Sequence, residues 1–394
     1  MTREFRDRRP VIARPWLTPN LKVLSGVSLT QDAASELLYP VMPIFLTVTL
    51  GAPAAVVGAV EGFAEGVAAL TKLVAGRLSD RMARKPLIAL GYGLAAVGKL
   101  LVAVATAWPV VLLGRGVDRV GKGIRGAPRD ALLMVDADPA TRGRVFGFHR
   151  AADTLGAVIG PALGLLLFWA LDESIRPLLL VAVVPAVLSV LLVALVREGS
   201  RIDTAPVVVS PLPRPVKRLV LVLGLFSLVN FPDALLLLRA HELGLSTYGV
   251  IAAYLVYNAV YAGLAFPAGA LSDRLPRHLV YAVGLLFFAV GYLGLGLVEK
   301  GWLVFLILPL YGGFAAFTDG VGKAWVASVA PKELQGSAQG LFQGVTGGAI
   351  LVAGVWAGLA WGGDGRLPLL VSGAVGLVAA AVIAVRGQAL TQAT

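Results

Sequence analysis

The sequence predicts an all-α membrane protein with twelve transmembrane helices in two pseudo-symmetric six-helix bundles and both termini in the cytoplasm. Three observations support this fold class: an apolar composition, a series of long apolar segments, and a motif that occurs in both halves. Of the 394 residues, 57% are hydrophobic and only 14% are charged. Soluble proteins have about 45–50% apolar and roughly 25% charged residues. A soluble core cannot bury this excess, so we expect a lipid bilayer to surround the protein.

Twelve apolar segments are long enough to cross a bilayer, which takes about 20 residues of helix. We expect helices because open strands would leave backbone groups without hydrogen bonds in lipid. The segments are 21–49, 54–76, 86–106, 108–134, 145–171, 175–196, 217–240, 247–270, 279–298, 302–329, 337–361 and 367–386. The charged stretch 1–10 does not resemble a signal peptide, so the first segment is expected to remain as a span.

Lysine and arginine are concentrated in alternate connections between the spans. They accumulate in the N-terminal tail, after spans two, four and eight, and between spans six and seven. Because cytoplasmic loops collect these cations, both termini are expected in the cytoplasm. The same bias accounts for the net charge of +11, so no nucleic-acid partner is expected. The proline-containing stretch 197–218 is interpreted as a linker between bundles 1–196 and 219–394.

Residues that carry metal or covalent chemistry are scarce. There is no cysteine, which excludes disulfides and thiolate sites, and the three histidines lie far apart in the sequence. We therefore expect no metal and no cofactor. The sequence also lacks the phosphate-binding loop of ATPases and the hydrolase motifs His-Glu-x-x-His and Gly-x-Ser-x-Gly. Neither an enzyme nor an ATP-driven pump is expected.

A nine-residue motif occurs once in each half. The first copy, Gly-Arg-Leu-Ser-Asp-Arg-Met-Ala-Arg at 76–84, matches Gly-Ala-Leu-Ser-Asp-Arg-Leu-Pro-Arg at 269–277. Both copies follow an even-numbered span on the predicted cytoplasmic side. Two repeated halves predict a transporter that works by alternating access, with its substrate site at the interface of the halves near the middle of the membrane.

The first copy, extended by Lys85, resembles motif A of the major facilitator superfamily. The resemblance spans almost the whole chain. It implies the superfamily fold, transport of a small molecule, a monomer, and the cytoplasmic membrane of a bacterium or archaeon. In that family, motif A latches the cytoplasmic ends of the halves in the outward-open state. The implied latch residues are Gly76, Asp80, Arg81 and Arg84, with a weaker copy at Asp273 and Arg274.

A glycine and proline pattern in span five resembles motif C of the proton-antiport drug exporters in this superfamily. Its residues are Gly156, Gly160, Pro161 and Gly164. The family pattern ends in two glycines, whereas Leu165 follows here. The resemblance implies export in exchange for protons. The alternative is that the glycines only allow span five to pack closely on a neighbour, with a bend at the proline.

Charged residues recur within the spans of the first half. The candidate coupling residues are Asp32, Glu36, Glu61, Glu65, Arg115, Asp118, Arg119 and Lys122. Span three contains a further charge, Lys99, which is not in this set. Within each of spans one, two and four the charges recur three or four residues apart, so they share a helix face. Each ionisable group at the bilayer centre costs about 2.5–3.5 kcal/mol on insertion scales. We therefore expect these faces to line the central cavity or to pair across it, as a network of spans one, two and four.

Two interpretations of this network remain open. A fully paired network would only stabilise helix packing. A proton-coupling network would contain a carboxylate that loses its cationic partner in one conformation and then takes up a proton. At the repeat spacing, Glu61 and Glu65 correspond to Tyr254 and Asn258 in the second half. The duplicated architecture does not require the charges, which favours the functional interpretation.

The second half offers a different, aromatic wall for a substrate. The candidate cavity residues are Tyr39, Lys72, Asp153, Asn230, Asp233, Tyr254, Tyr257, Asn258, Tyr261, Tyr311, Asp319 and Lys323. Tyrosine rings and hydroxyl groups suit stacking and hydrogen bonding to a substrate. Core packing or anchoring at the membrane interface is the alternative for the tyrosines. Asp319 and Lys323 are four residues apart and are expected to pair.

The leading hypothesis is a proton-coupled secondary transporter that exports a small organic compound. A second hypothesis is uptake of an anionic solute or a metal chelate by the cations of span four. Export of a metal ion by carboxylate ligands is a third, although scarce histidine and absent cysteine disfavour soft metals. A membrane receptor without transport activity is the alternative from a different functional class.

Overall fold

The protein is described by a computed structural model, which covers residues 16–79, 83–135, 142–198, 211–331 and 334–391. Helices are the only regular elements in these ranges. The first half contains α1 (Pro19–Leu38), α2 (Ala54–Ser79), α3 (Arg84–Ala103), α4 (Trp108–Val135), α5 (Arg142–Ala170), α6 (Ile175–Val181) and α7 (Val183–Val193). The second half contains α8 (Arg214–Ser227), α9 (Asp233–Glu242), α10 (Thr247–Arg274), α11 (Arg277–Leu297), α12 (Val304–Val329), α13 (Gln335–Leu359) and α14 (Arg366–Thr391).

Proline accounts for two interruptions of the helices. After α1 the chain continues in 3-10, α and π turns through Thr49, where Pro40 and Pro43 cannot donate backbone hydrogen bonds. In span seven, α8 ends at Ser227 and α9 begins after Pro232. Each predicted span therefore contains one helix or a series of consecutive helical segments.

Nine helical stretches of the described residues are long and apolar enough to cross a membrane. The other predicted spans contain α1, α4 and the α8–α9 pair. Polar and charged side chains interrupt α1 and α4, and the non-helical residues 228–232 separate α8 from α9. The all-α membrane fold is confirmed, while the count of twelve spans and the cytoplasmic termini stay predictions.

The packing of the helices follows the sequence repeat. In the first half α1 packs on α5, α4 on both α2 and α3, and α7 on α3. The equivalent pairs of the second half are α8 with α13, α12 with α10 and α11, and α14 with α11. Contacts between the halves are made by α2 with α13 and by α5 with α10. The halves thus face each other across two related helix pairs, with a space between them.

The two ends of this space differ. At one end, Phe168 of α5 packs edge-on against Tyr248 of α10 at 5.0 Å, within an apolar cluster that includes residues of both halves. At the other end, where α2 and α12 finish, a cavity of about 240 Å3 separates the halves. This open end is the one predicted to face the cytoplasm. The linker residues 199–210 lie outside the described residues.

Candidate functional site

A buried cluster of ion pairs joins α2 to α4. Glu61 accepts two hydrogen bonds from Arg115, of which the one from Nε to Oε1 is 2.8 Å long. Arg119 lies 3.2 Å from Oε1 of Glu65 and 4.0 Å from Oε2 of Glu61. Glu61 is 1% exposed, whereas 40% of the Glu65 side chain is exposed. The cluster therefore has a buried core and one carboxylate at its edge.

Asp118 extends the cluster to α3. Its Oδ1 lies 2.9 Å from Nζ of Lys99, which is only 2% exposed, and its Oδ2 lies 3.8 Å from Arg115. Two neighbours of Asp118 are thus cations, and opposite charges alternate along the cluster. Such pairing is what allows ionised groups to persist away from water. Lys99 was absent from the predicted coupling set, although an isolated lysine in an apolar span already indicates a carboxylate partner.

The structure does not bring the charges of α1 into this cluster. Among the described residues, Asp32 and Glu36 form no ion pair with α2 or α4. Lys122 is exposed, and it too forms no ion pair with any of the described residues. Within the described residues, the ion pairs of this cluster join spans two, three and four, while Asp32 interacts electrostatically with Lys122 and Arg125 of α4 at longer range. The reason is geometric, because α4 packs mainly between α2 and α3. A functional network that includes span one stays a prediction.

Glu36 instead contacts the second half. Its Oε2 accepts a hydrogen bond of 2.6 Å from the hydroxyl group of Tyr254 on α10. The ring of Tyr254 packs at a tilt of 33° against Tyr39 of the first half, with ring centroids 5.5 Å apart. The guanidinium of Arg115 lies 6.0 Å from the centre of the Tyr39 ring. A carboxylate of α1 is thus linked directly to the opposite half of the protein.

The glycines of span five bring α5 against the backbone of α1 next to its carboxylates. A Cβ atom on Gly156 would lie 2.7 Å from the carbonyl oxygen of Leu29 and 3.1 Å from Cβ of Asp32. One on Gly160 would lie 2.7 Å from the carbonyl oxygen of Ala33. Any side chain at either position would collide with backbone. Pro161 lies inside α5, and Gly164 makes looser contact with α1.

The tyrosines of the second half form a stacked row beside Asp233. Ring centroids of Tyr254 and Tyr257 are 5.6 Å apart, and those of Tyr257 and Tyr311 are 5.7 Å apart. Asp233 accepts hydrogen bonds from Tyr257 at 3.0 Å and from Tyr311 at 2.8 Å. These three tyrosines are buried, so contacts with other core residues cover most of their ring surface. Asn258 is buried too and donates to the Tyr254 carbonyl oxygen at 3.0 Å.

Asp319 does not pair with Lys323 as expected. Its Oδ2 accepts a 3.2 Å hydrogen bond from Tyr261, and the structure describes no ion pair between the two span-ten residues. Both side chains are exposed and line the cavity. Asp153 lies 3.9 Å from both His149 and Arg150. Neither cluster contains a carboxylate pair arranged to hold a metal ion.

The cavity between the halves is lined by charged and aromatic side chains. Its polar lining includes Glu65 and Lys72 of α2, Asn230 and residues of α12 and α13. Lys72 donates a hydrogen bond of 3.2 Å to Oε1 of Gln343, which the sequence analysis did not single out. The sequence signal that could have identified Gln343 as a cavity residue is its polar side chain within a largely apolar span. The cavity is therefore accessible to water and to a small solute.

The motif A latch is only partly within the described residues. Asp80 and Arg81 lie outside them, and Gly76 lies in the last turns of α2. The backbone amide of Arg84 donates a 2.6 Å hydrogen bond to Oε1 of Glu198, near the end of the first half. Asp273 and Arg274 are exposed at the end of α10. A latch between the halves stays a prediction.

Comparison with known proteins agrees with this architecture. The sequence model of the Major Facilitator Superfamily matches residues 24–238 and 219–389. The chain is 32% identical to an uncharacterized MFS-type transporter of Methanocaldococcus jannaschii, over 88% of this chain and 89% of the relative. It is 26% identical to the class G tetracycline resistance protein of Vibrio anguillarum, over 78% of this chain and 80% of the relative.

A solved structure with the same fold is that of the nucleoside transporter NupG. It has a TM-score of 0.75 and 15% sequence identity, and the match covers 95% of this chain and 100% of that one. The family indicated by motif A is thereby confirmed. The chain belongs to the Major Facilitator Superfamily and is a multi-pass transporter of the inner membrane rather than an enzyme.

Proposed function

We propose that this transporter is proton-coupled, works by alternating access and exports a small organic compound. The two bundles, 1–196 and 219–394, would be the bodies that move about the linker 197–218, and the functional unit would be a monomer. The motif-C-like segment and the relative named for tetracycline resistance support the outward direction. The partners of the protein would be its substrate, protons and the lipid bilayer.

The hydrogen bond between Glu36 and Tyr254 carries the proposal of proton coupling. It connects an ionisable group of the first half to the second half, and its length of 2.6 Å is typical of a bond to a carboxylate. Separating the halves there would leave the carboxylate without this donor. A carboxylate that loses hydrogen-bond donors in a poorly solvated site takes up a proton more readily. Opening and closing would therefore change the protonation of Glu36.

Glu65 is a second candidate for proton uptake. It pairs with Arg119 but remains 40% exposed at the cavity. Water and substrate can therefore reach this ion pair and alter it. The pair of Glu61 and Arg115 is buried on every side. We assign the buried pair, with Asp118 and its lysine partner, to helix packing. Coupling is thus assigned to the carboxylates that face the other half or the cavity.

The packing supports an inward-open state. Apolar contacts such as that of Phe168 with Tyr248 would close the periplasmic end, while the cavity would open to the cytoplasm. Substrate would enter this cavity from the cytoplasm. Rotation of the halves about the two cross-half helix pairs would then expose it on the other side.

We expect Glu36→Gln to abolish proton-driven transport while leaving substrate exchange intact, because glutamine mimics the protonated group and cannot cycle. A thermal-shift screen of metabolites and drugs at two pH values would first identify a ligand of the detergent-purified protein. Proteoliposomes containing a trapped pH indicator would then report substrate-dependent proton flux and substrate accumulation. Exchange of labelled for unlabelled substrate, without a proton gradient, separates binding from coupling.

Two further variants make this experiment decisive. Tyr254→Phe keeps the ring stack and removes only the hydroxyl group, so its coupling should be weakened rather than lost. Glu299→Gln changes an exposed carboxylate far from the cavity and should behave like the unmodified protein. Substrate-dependent proton flux that survives in both Glu36→Gln and Glu65→Gln would contradict the proposed coupling site.

A further inference from the structure

We propose that the substrate is a compact organic anion, bound in the cavity between the halves by Lys72 and Lys323, with Lys122 adding positive charge from beside Lys72. This inference rests on the proposed transport function and adds the chemical class of the substrate to it. The three lysines come from α2, α4 and α12, so both halves contribute to the site.

The three ammonium groups are exposed and lack carboxylate partners in the described ranges. Lys72 makes one hydrogen bond, to the amide oxygen of Gln343, and neither Lys122 nor Lys323 has an ion pair there. Lysines near helix ends commonly extend to the membrane surface. Lys72 and Lys323 instead line the cavity between the halves. Their charges are thus directed to the space that a substrate would occupy.

Other cations lie near Lys72 and Lys122. Lys72 interacts repulsively with both Lys122 and Lys323. The nearest carboxylates are already engaged, because Glu65 pairs with Arg119 at 3.2 Å and Asp319 accepts a hydrogen bond from Tyr261 at 3.2 Å. Glu65 nevertheless attracts both Lys72 and Lys122, and Asp32 attracts Lys122. An anionic ligand would offset the part of the repulsion that these carboxylates leave.

The rest of the cavity indicates a small molecule with an apolar part. Phe226, Tyr281, Phe314 and Phe342 supply aromatic surface, and Asn230 adds an amide. The volume of about 240 Å3 lies below the roughly 300–1,000 Å3 of sites for drug-sized ligands. An organic acid of metabolite size fits this combination better than an inorganic ion or a large hydrophobic drug.

The position of the lysines also connects binding to movement. Lys72 and Lys122 belong to the first half, and Lys323 belongs to the second. Closing the cytoplasmic end of an empty cavity would bring like charges together. A bound anion removes this repulsion, so it stabilises the closed form more than the open form, which is the condition for a ligand to shift the equilibrium. Substrate loading would therefore favour the outward transition.

A charge series of similar compounds tests the proposal. Equilibrium dialysis of the detergent-purified full chain would compare benzoate and phenyl phosphate with neutral benzamide and cationic benzylammonium. We expect the anions to bind about tenfold or more tightly than benzamide, since hydrogen bonds to charged groups contribute that much. Added salt should weaken anion binding selectively, because it screens charges in an open cavity.

Variants at the lysines identify the site. Lys72→Gln and Lys323→Gln should each reduce the preference for anions by about tenfold, while Lys72→Arg and Lys323→Arg should retain it. Lys300→Gln, at an exposed lysine of the connection between spans nine and ten, is the matched control and should leave binding unchanged. Thermal unfolding of each variant would verify that the fold is intact.

The possible outcomes separate this inference from the proposed coupling. Anions that bind no more tightly than benzamide, or equally well after both Gln substitutions, would show the substrate class to be wrong. If that happens while Glu36→Gln still abolishes proton flux with another ligand, the coupling proposal stands. Lysine-dependent anion binding together with undiminished proton flux in both Glu36→Gln and Glu65→Gln would support the substrate class and reject the coupling site.

Discussion

Replacing Glu61 by alanine is expected to destabilise the protein by about 3–5 kcal/mol, because it leaves a buried charge without its partner. Arg115 and Arg119 both approach the Glu61 carboxylate, and Arg115 is only 3% exposed. Neither guanidinium can lose its proton, and Arg115 is shielded from bulk water. Reversible unfolding of the purified protein in mixed micelles, followed by tryptophan fluorescence, would measure the change in the free energy of unfolding.

An exposed ion pair in the same protein is the matched control for Glu61. Arg366 lies 3.2 Å from Glu299, whose side chain is 77% exposed. Glu299→Ala should cost less than about 1 kcal/mol, as exposed pairs do. The double replacement of Glu61 and Arg115 by methionine should be less destabilising than Glu61→Ala, since it removes both charges. Equal effects of Glu61→Ala and Glu299→Ala would contradict a structural role for the buried pair.

The second large effect is expected at Gly160, where alanine should abolish transport and lower stability by about 1–3 kcal/mol. Its Cβ atom would lie 2.7 Å from the carbonyl oxygen of Ala33 and 2.9 Å from Cβ of Glu36. A backbone carbonyl cannot rotate away as a side chain can, so α5 must move away from α1. That movement would displace Glu36 from Tyr254. Transport in proteoliposomes and thermal unfolding would report the two consequences.

Gly93 of α3 provides the control for this substitution. Apart from its chain neighbours and the nearby backbone of its own helix, no atom lies within 4 Å of a Cβ atom placed on Gly93. Gly93→Ala should therefore leave both transport and the unfolding temperature unchanged. If Gly160→Ala behaves in the same way, the close contact of α5 with α1 has no part in positioning Glu36, and the motif-C-like segment would need another explanation.

The partners of the charged residues show how far the sequence could be interpreted. Spacing correctly put Glu61 and Glu65 on the face of α2 that meets the arginines of α4. The same reasoning included α1 in the network, which stays a prediction, and it paired Asp319 with Lys323, an ion pair that the described residues do not form. Spacing along a helix indicates which side chains share a face. It does not indicate which neighbouring helix that face contacts, or whether water replaces a partner.

Composition, apolar segment length and repeated motifs were sufficient for the all-α membrane fold and the superfamily, because each reflects a local cost of placing polar groups in lipid. Partner choice depended on the tertiary structure. Arg115 and Glu61 are 54 residues apart, and Tyr254 and Glu36 are 218 residues apart. Only the packing of helices decides which of these charges are buried in pairs and which face the cavity, since burial and pairing are properties of the assembled bundle.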